Sequence, residues 1–302
     1  MTGRELVIVG AGPAGISAAL WARSHEMPPL VLEAEPGPGG QLLHVYFEPH
    51  DLAGIPAGDG TAIATRYQKQ LAESGVVVRY GAAVEKLAVT PRIELTLAGG
   101  EILAPRALLI ATGARRRRLE VPGERELENR GVSFSATRDR DRLSGRAVAV
   151  VGGGDAACEN ALMLAASGSD VTLIARAALR TRPAFRERIT AEPRLRVLVH
   201  TRVVRILGET QVTGLELESP TGASRLACEG VVIKVGVVPN TEWCREALPH
   251  DDEGYLRVDA ESATGVQGVW AAGDVVRPAV LSAAVAVGQG VLAAAAIRRT
   301  LR

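Results

Sequence analysis

Apolar residues along this chain fall in short unbroken runs that are closed by glycine. Residues 6–9 (Leu-Val-Ile-Val) and 147–151 (Ala-Val-Ala-Val-Val) are uninterrupted apolar segments. Such runs are the pattern of strands buried on both faces of a parallel sheet. Through residue 113 the pattern predicts strand, helix, strand, long loop, a helix over 61–74, then strands at 76–78, 83–89, 92–97 and 107–110. Residues 114–145 are polar and charged and read as a linker. The scheme then repeats: strand 147–151, helix 155–168, strand 170–174, a helix opening at Pro183, and strands near 195–206, 211–217 and 230–235. A final segment carries Gly268-Val269-Trp270-Ala271-Ala272-Gly273-Asp274 and a terminal helix. The expected fold is α/β, with one Rossmann-like nucleotide-binding domain (114–244) inserted within another (1–113 and 245–302).

The turns after the two apolar runs carry the chemistry. Gly10-Ala11-Gly12-Pro13-Ala14-Gly15 follows the first, and Gly152-Gly153-Gly154-Asp155-Ala156-Ala157 follows the second. In such a strand–turn–helix unit the first glycine makes the tight turn and the second lets the backbone approach a pyrophosphate. The third small residue lets helix and strand pack closely. Two motifs in one chain imply two dinucleotides, one to give electrons and one to receive them. After the first motif, Leu30-Val31-Leu32-Glu33 ends a strand in a carboxylate suited to ribose hydroxyls, and the N-terminal position suits FAD. After the second, Val171-Thr172-Leu173-Ile174 runs into Ala175-Arg176, with Arg180 and Arg182 beyond. With no carboxylate there and guanidinium groups at hand, NADPH is expected over NADH. The competing reading is that these arginines line a solvated helix start.

At 302 residues, 47% hydrophobic and 23% charged, the chain suits two soluble domains. A net charge of +1 gives no drive toward nucleic acid or anionic membrane. The middle of the chain carries roughly five excess positive charges, nearly all arginine. Cys158, Cys228 and Cys244 form no Cys-x-x-Cys pair and no metal-ligand spacing, so neither a disulfide framework nor a metal site is expected. The apolar stretch 279–297 is broken by Ser282, Gly288, Gln289 and Gly290 and reads as a buried terminal helix. With no signal peptide before the first strand, a cytoplasmic protein is expected.

Six separate segments together carry a family likeness. They are residues 10–15, Gly39-Gly40-Gln41-Leu42, Ala111-Thr112-Gly113, residues 152–157, Gly236-Val237-Val238-Pro239-Asn240-Thr241 and Ala272-Gly273-Asp274-Val275. The sequence resembles the low-molecular-weight thioredoxin reductases and the related thioredoxin-reductase-type ferredoxin/flavodoxin–NADP reductases. The resemblance implies a homodimer, FAD on the discontinuous domain, NADPH on the central one, and rotation between them about two hinges. It also implies that Gly40-Gln41 contacts the flavin end of FAD and that Gly273-Asp274 holds its ribityl and pyrophosphate region.

The chain departs from thioredoxin reductases at Gly131-Val132-Ser133-Phe134-Ser135-Ala136-Thr137-Arg138-Asp139, where Ser135 and Arg138 stand in place of the redox cysteines. Serine forms no disulfide and arginine is redox-inert, so the dithiol relay is absent. That moves the chain toward the ferredoxin/flavodoxin reductase branch, which Tyr46 and Asp51-Leu52-Ala53-Gly54-Ile55-Pro56 also resemble. Against that branch, the chain ends at Arg302 without its C-terminal extension. Ala175 and Ala177 also stand where the family's 2′-phosphate signature prefers His and Arg.

Hydride transfer needs positioning more than acid–base side chains, so candidate catalytic residues are few. Asp139 matches a family aspartate that assists proton transfer at the dithiol; a salt bridge with a neighbouring arginine is the alternative. Ser282 would face the flavin by family position or simply pack. His44 and His50 follow Gly40-Gln41 as candidate flavin neighbours or surface groups. Cys158 lies in the first turns of a helix whose dipole could lower its pKa; the plain reading is a buried helix residue. The run Arg115-Arg116-Arg117-Arg118 reads as a docking patch for an acidic electron carrier or as a solvated hinge.

Three functions are open at this point. One is an NADPH-dependent FAD reductase passing electrons to a carrier protein or small acceptor. Another is a disulfide reductase or dithiol oxidase acting on substrate sulfur at the flavin. The third is a non-catalytic flavin- or nucleotide-binding redox sensor.

Overall fold

The computed structural model describes residues 5–49, 52–53 and 58–302. Along the chain, β1 (Leu6–Val9), α1 (Pro13–Ser24) and β2 (Leu30–Leu32) precede α2 (Gly60–Ser74) and β3 (Val77–Arg79). A 3-10 turn over Gly40–His44 lies in the loop between β2 and α2. Then come β4 (Val84–Ala88), β5 (Glu94–Leu97), β6 (Ile102–Leu103), β7 (Ala107–Ile110) and β8 (Ala114–Arg116). The second series is β9 (Val132–Ser133), α3 (Ala136–Leu143), β10 (Ala147–Val151), α4 (Asp155–Ala166), β11 (Asp170–Ile174), α5 (Pro183–Ala191) and β12 (Leu195–Leu198). It continues with β13 (Arg202–Leu207), β14 (Gly214–Ser219), β15 (Gly222–Ala227) and β16 (Gly230–Ile233), and the chain closes with β17 (Val237–Pro239), β18 (Val269–Ala271) and α6 (Ala283–Leu301).

The chain divides into two compact units, residues 1–115 with 238–302, and residues 116–237. The first holds a parallel five-stranded sheet in the order β18-β7-β1-β2-β3. Alternation along β1 sends Leu6 and Ile8 into the core beneath α1 and α6, and Val7 and Val9 toward the antiparallel β4-β5-β6 layer. A strand sandwiched in this way has no polar face, which is why it reads as an unbroken apolar run. The second unit repeats the plan: β12-β11-β10-β16-β9, all parallel, with Val148 and Val150 facing α3–α5, and Ala149 and Val151 facing β13-β14-β15.

Small residues explain the alanine-rich terminal helix. A Cβ on Gly290 would lie 2.1 Å from the Ala14 carbonyl oxygen, so α6 crosses α1 almost backbone to backbone. The Ser17 hydroxyl donates to the Val287 carbonyl at 2.7 Å across that contact. No helix among the described residues is long and apolar enough to cross a membrane.

The structure corrects several boundaries. The return to the first unit comes at Val238, seven residues before the expected 245. The intervening residues pack there because Asn240 and Thr112 exchange hydrogen bonds of 2.8 Å and Cys244 is buried beside Leu248 and Leu256. The expected linker 114–145 contains β8, β9 and α3, a polar helix that buries only Ala136 and Leu143. The single strand expected near 195–206 is two, broken at His200, whose φ of 54° no strand residue adopts. The strand expected at 211–217 starts at Gly214, and β15, exposed along almost its whole length, lacks the apolar signal that would have marked it.

Candidate functional site: two glycine crevices

Each unit has a topological switch point, and each glycine motif sits on it. In the first unit the chain winds outward from β1 through β2 to β3, then resumes at β7 on the other side. In the second it winds from β10 to β12 and resumes at β16. Ligands of open α/β sheets lie in the crevice at the carboxyl ends of two such neighbours. Gly10 ends β1 beside Ala111, which follows β7; Gly152 ends β10 beside Lys234, which follows β16.

The glycines divide by what faces them. A Cβ on Gly10 (φ 106°) would lie 2.3 Å from the Ala111 carbonyl oxygen, and one on Gly152 (φ 149°) 2.2 Å from that of Lys234. These two make the turn and admit no side chain. At the third position, a Cβ on Gly15 would lie 1.9 Å from Gly10's oxygen; its counterpart is Ala157, buried. The middle glycines differ: nothing lies closer than 4.0 Å to a Cβ built on Gly12, and nothing within 4 Å of one on Gly154. Both are N-caps without side-chain caps, so the first amides of α1 and α4 are left for a ligand. Tight at the turn, tight at the packing point and open between is the arrangement a dinucleotide pyrophosphate needs.

Around the first crevice, Glu33 ends β2, buried, with its carboxylate accepting from Ala11 N–H at 2.6 Å and Glu35 N–H at 3.0 Å. Pro13 opens α1, and Ala14 is buried under Gly273, whose own Cβ would meet Ala14 Cβ at 2.9 Å. Gly40 (φ 52°) approaches Gly12: its Cβ would stand 3.1 Å from the Gly12 Cα. Gln41 follows, half-buried, in the 3-10 turn. Thr112 is tied to Asn240, and Gly113 (φ 64°) faces open space. The Gly273 amide donates to Gln289 Oε1 at 2.9 Å, and burial pushes the Asp274 carboxyl above its ordinary pKa. The turns of Gly10, Gly40, Ala111–Gly113 and Gly273–Asp274 thus converge in one unit. His44 is exposed in the same loop; His50, Asp51 and residues 54–56 lie outside the described residues.

Around the second crevice, the loop after β11 folds back on the motif. Arg180 N–H donates to Gly153 O at 2.7 Å, and Asp155 Oδ1 accepts from Thr181 Oγ1 at 2.6 Å and Arg182 N–H at 2.9 Å. These hydrogen bonds, with the Arg182 charge, hold the Asp155 carboxyl below the usual carboxylate range. Ala156 follows Asp155 in the first turn of α4. The Arg182 guanidinium pairs with Asp155 at 2.7 Å and lies over Phe185. Arg176 is different. It is exposed at the end of β11 with no hydrogen-bond or ion-pair partner among the described residues. It lines a hollow of about 310 Å³ with His200, Thr201, Arg202 and Glu218. Thr201 N–H donates to Ala175 O at 3.0 Å, which brings His200 to the end of β11. Spacing could not find His200 and Arg202, because they lie on a different strand connection.

The segment around Ser135 and Arg138, expected at the redox-cysteine position, carries no thiol. Ser135 caps α3, accepting from Arg138 N–H at 3.3 Å. The Asp139 carboxylate accepts from the Ser133 hydroxyl and pairs with Arg138 at 2.8 Å and Arg142 at 3.5 Å. Burial opposes its charge, but those hydrogen bonds and cations outweigh it and hold the carboxyl below its ordinary pKa. All three cysteines are buried. Burial raises the Cys158 thiol pKa, outweighing the Thr181 hydrogen bond and the Arg186 charge that lower it, and pushes Cys228 and Cys244 up to about 12. Ser282 caps α6, accepting from Val285 N–H at 3.3 Å. Nor is the arginine run a free cationic patch. Arg115 pairs with Glu242 at 2.5 Å, and Arg118 pairs with Glu128 at 2.7 Å and lies over Phe134. No group of acidic, histidine or cysteine side chains that could hold a metal exists among the described residues.

Comparison with known proteins agrees with two dinucleotide crevices. Residues 4–290 match the model of the family described as pyridine nucleotide-disulphide oxidoreductase. The chain belongs to the pyridine nucleotide-disulphide oxidoreductase family. It is 36% identical to a thioredoxin reductase of Streptomyces clavuligerus, covering 99% of this chain and 94% of that one. It is 31% identical to an NADH dehydrogenase of Bacillus subtilis, covering 96% of this chain and 57% of that one. Among solved structures, the thioredoxin reductase of Lactococcus lactis superposes with a TM-score of 0.84 at 29% identity, covering 99% of both chains. As a thioredoxin-reductase-like member of the pyridine nucleotide-disulphide oxidoreductases, the protein is a flavin-dependent oxidoreductase whose cofactors are FAD and a pyridine nucleotide.

Proposed function

We propose that this protein is an NADPH-dependent FAD reductase. It would deliver electrons to a separate acceptor, a carrier protein of the ferredoxin or flavodoxin kind or a small molecule, without an internal disulfide. The observation that carries this reading is the closed thiol chemistry: Ser135 and Arg138 at the relay position, and three buried cysteines whose thiols burial holds protonated. Thiolate, not thiol, is the sulfur nucleophile.

The first crevice would hold FAD, with Glu33 toward the ribose, the open amides at Gly12 toward the pyrophosphate, and Gly40-Gln41 and Gly273-Asp274 toward the flavin half. The second would hold the pyridine nucleotide over Gly152, Gly154 and Ala156. When bound, FAD supplies the hydride acceptor and passes electrons onward. The side chains around it position and desolvate. Asp139 serves as the anchor of the β9–α3 turn, and Ser282 as the cap of α6. Arg176 supports NADPH over NADH, since an unpaired guanidinium at the end of the second strand suits a 2′-phosphate; Arg202 in the same hollow is already paired with Glu218 at 2.5 Å. Exposed Ala284, Gly288 and Leu292, four residues apart, run along one face of α6, with exposed Leu281 just before it, and support a homodimer; sedimentation equilibrium distinguishes that from a monomer.

The decisive experiment is anaerobic stopped-flow reduction of bound FAD by NADPH and, separately, NADH, followed by an acceptor panel. Fast saturable bleaching by NADPH, with turnover of flavodoxin or ferredoxin and none of a disulfide, supports the proposal. Turnover of a low-molecular-weight disulfide instead would favour direct reaction at substrate sulfur, the reading that family membership keeps open. No bleaching by either nucleotide would point to a redox sensor.

A further inference from the structure

The two crevices share one backbone contact but differ in the residue that makes it. In the first unit the residue whose carbonyl closes on the turn glycine is Ala111, buried; in the second it is Lys234. Lys234 N–H donates to Val151 O at 2.8 Å, so this residue continues β16 directly beside the end of β10. The turn contact itself uses only the backbone, as it does at Ala111, so the lysine side chain carried at this position is not required by that contact. Of 35 cationic side chains only Lys69, Lys86 and Lys234 are lysine, and the other two lie exposed on the first unit, one on α2 and one on β4.

We propose that Lys234 is a further binding residue for the pyridine nucleotide, its ammonium group meeting the pyrophosphate in the crevice between β10 and β16. The proposal rests on the reading of the second unit as the pyridine-nucleotide unit. The charged groups acting on Lys234 are Arg116 and, from α4, Glu159. Burial, with repulsion from Arg116 and partial relief from Glu159, pushes its pKa down to about 8. A dianionic pyrophosphate arriving beside an amine whose pKa burial has lowered favours its protonated form. Nucleotide binding near pH 8 is therefore coupled to proton uptake. Arginine, which stays charged, would bind without that coupling.

The test is calorimetric titration of the FAD-loaded protein with NADP⁺ and with NAD⁺, which bind without reducing the flavin. Wild type, Lys234→Met and Lys234→Arg are compared at pH 8 in buffers of different ionisation enthalpy. The expected result is about tenfold weaker binding of both nucleotides to K234M, as loss of a charge-assisted contact implies. K234R should bind nearly as wild type does, and proton uptake should appear in wild type alone. Equal affinities of wild type and K234M, or equal proton uptake in all three, would overturn the proposal while leaving the nucleotide unit intact. Failure of wild type to bind either nucleotide would instead overturn the reading on which the proposal rests. FAD content and melting temperature check that each variant is folded.

Discussion

Glu33 and Ala11 are joined by a 2.6 Å hydrogen bond from the amide of one to the carboxylate of the other, within the first glycine turn. The carboxylate that would receive ribose hydroxyls also braces the turn that would receive the pyrophosphate, so sugar and phosphate recognition share one group. Glu33→Ala removes both functions and leaves a buried amide without its partner, at a cost of about 1–3 kcal/mol. The expected outcome is a folded, FAD-poor protein, read from the flavin-to-protein absorbance ratio and from recovery of the flavin spectrum on adding excess FAD.

Gly152 and Gly154 stand two residues apart and should respond oppositely to alanine. Gly152→Ala forces a Cβ to within 2.2 Å of the Lys234 carbonyl oxygen at a φ of 149°, so the second unit should lose about 2 kcal/mol or more, seen as a lowered melting temperature. Gly154 has φ −99° and open space before it, so Gly154→Ala should melt as wild type does yet bind NADP⁺ more weakly. Equal melting temperatures for the two variants would contradict the division of roles.

Arg176 and Arg182 were equivalent candidates for the 2′-phosphate until their partners were known. Arg176→Ala should weaken NADP⁺ binding about tenfold or more and leave NAD⁺ unchanged, since an unpaired guanidinium loses a charge-assisted contact. Arg182→Ala should change the two affinities less, because its guanidinium already engages Asp155 in an exposed ion pair. Fluorescence titrations with the two nucleotides separate these outcomes.

Asp139 is expected to act on stability and not on turnover. Its folded pKa is held below the unfolded value, so its contribution is present at neutral pH and fades only in acid, as pH falls below about 4 toward the folded pKa. Asp139→Asn should lower stability by about 1 kcal/mol at pH 7 through weakened bonds to Ser133, Arg138 and Arg142. The deficit should close in acid, while flavin reduction stays within about twofold of wild type. A large loss of turnover at normal FAD content would restore Asp139 as a proton-transfer residue.

Cys158 offers a direct check on thiol chemistry. It is fully buried, and its thiol pKa is raised. Replacing all three cysteines by alanine should cost stability, about 1 kcal/mol per site, without slowing flavin reduction by NADPH. Stopped-flow traces of that variant matching wild type would exclude every cysteine from the electron path.

Much of this protein was legible in its sequence because the deciding interactions are local or periodic. Strands sandwiched between two layers must be apolar at every position, so β1 and β10 announced themselves as unbroken runs. A turn with positive φ beside a neighbouring carbonyl excludes every side chain, so Gly10 and Gly152 marked both crevices. Glu33 was found by its distance from the first motif, because the length of one helix and one strand sets that distance.

What only the tertiary structure decided is the assignment of long-range partners among similar residues. Arg176, Arg180 and Arg182 look alike in sequence. Asp155 claims Arg182, and the return of the chain at Thr201 brings His200 up to Arg176. The polar residues 136–143 looked like linker because a helix that buries only two side chains carries almost no hydrophobic signal. The place of Lys234 was invisible for a related reason. The expected strand 230–235 contained Lys234 but could not say which strand it would lie beside, and only the pairing of β16 with β10 sets it opposite Gly152. Local sterics write themselves into neighbouring residues, whereas the choice of partner across the fold is made by packing that no short stretch of sequence contains.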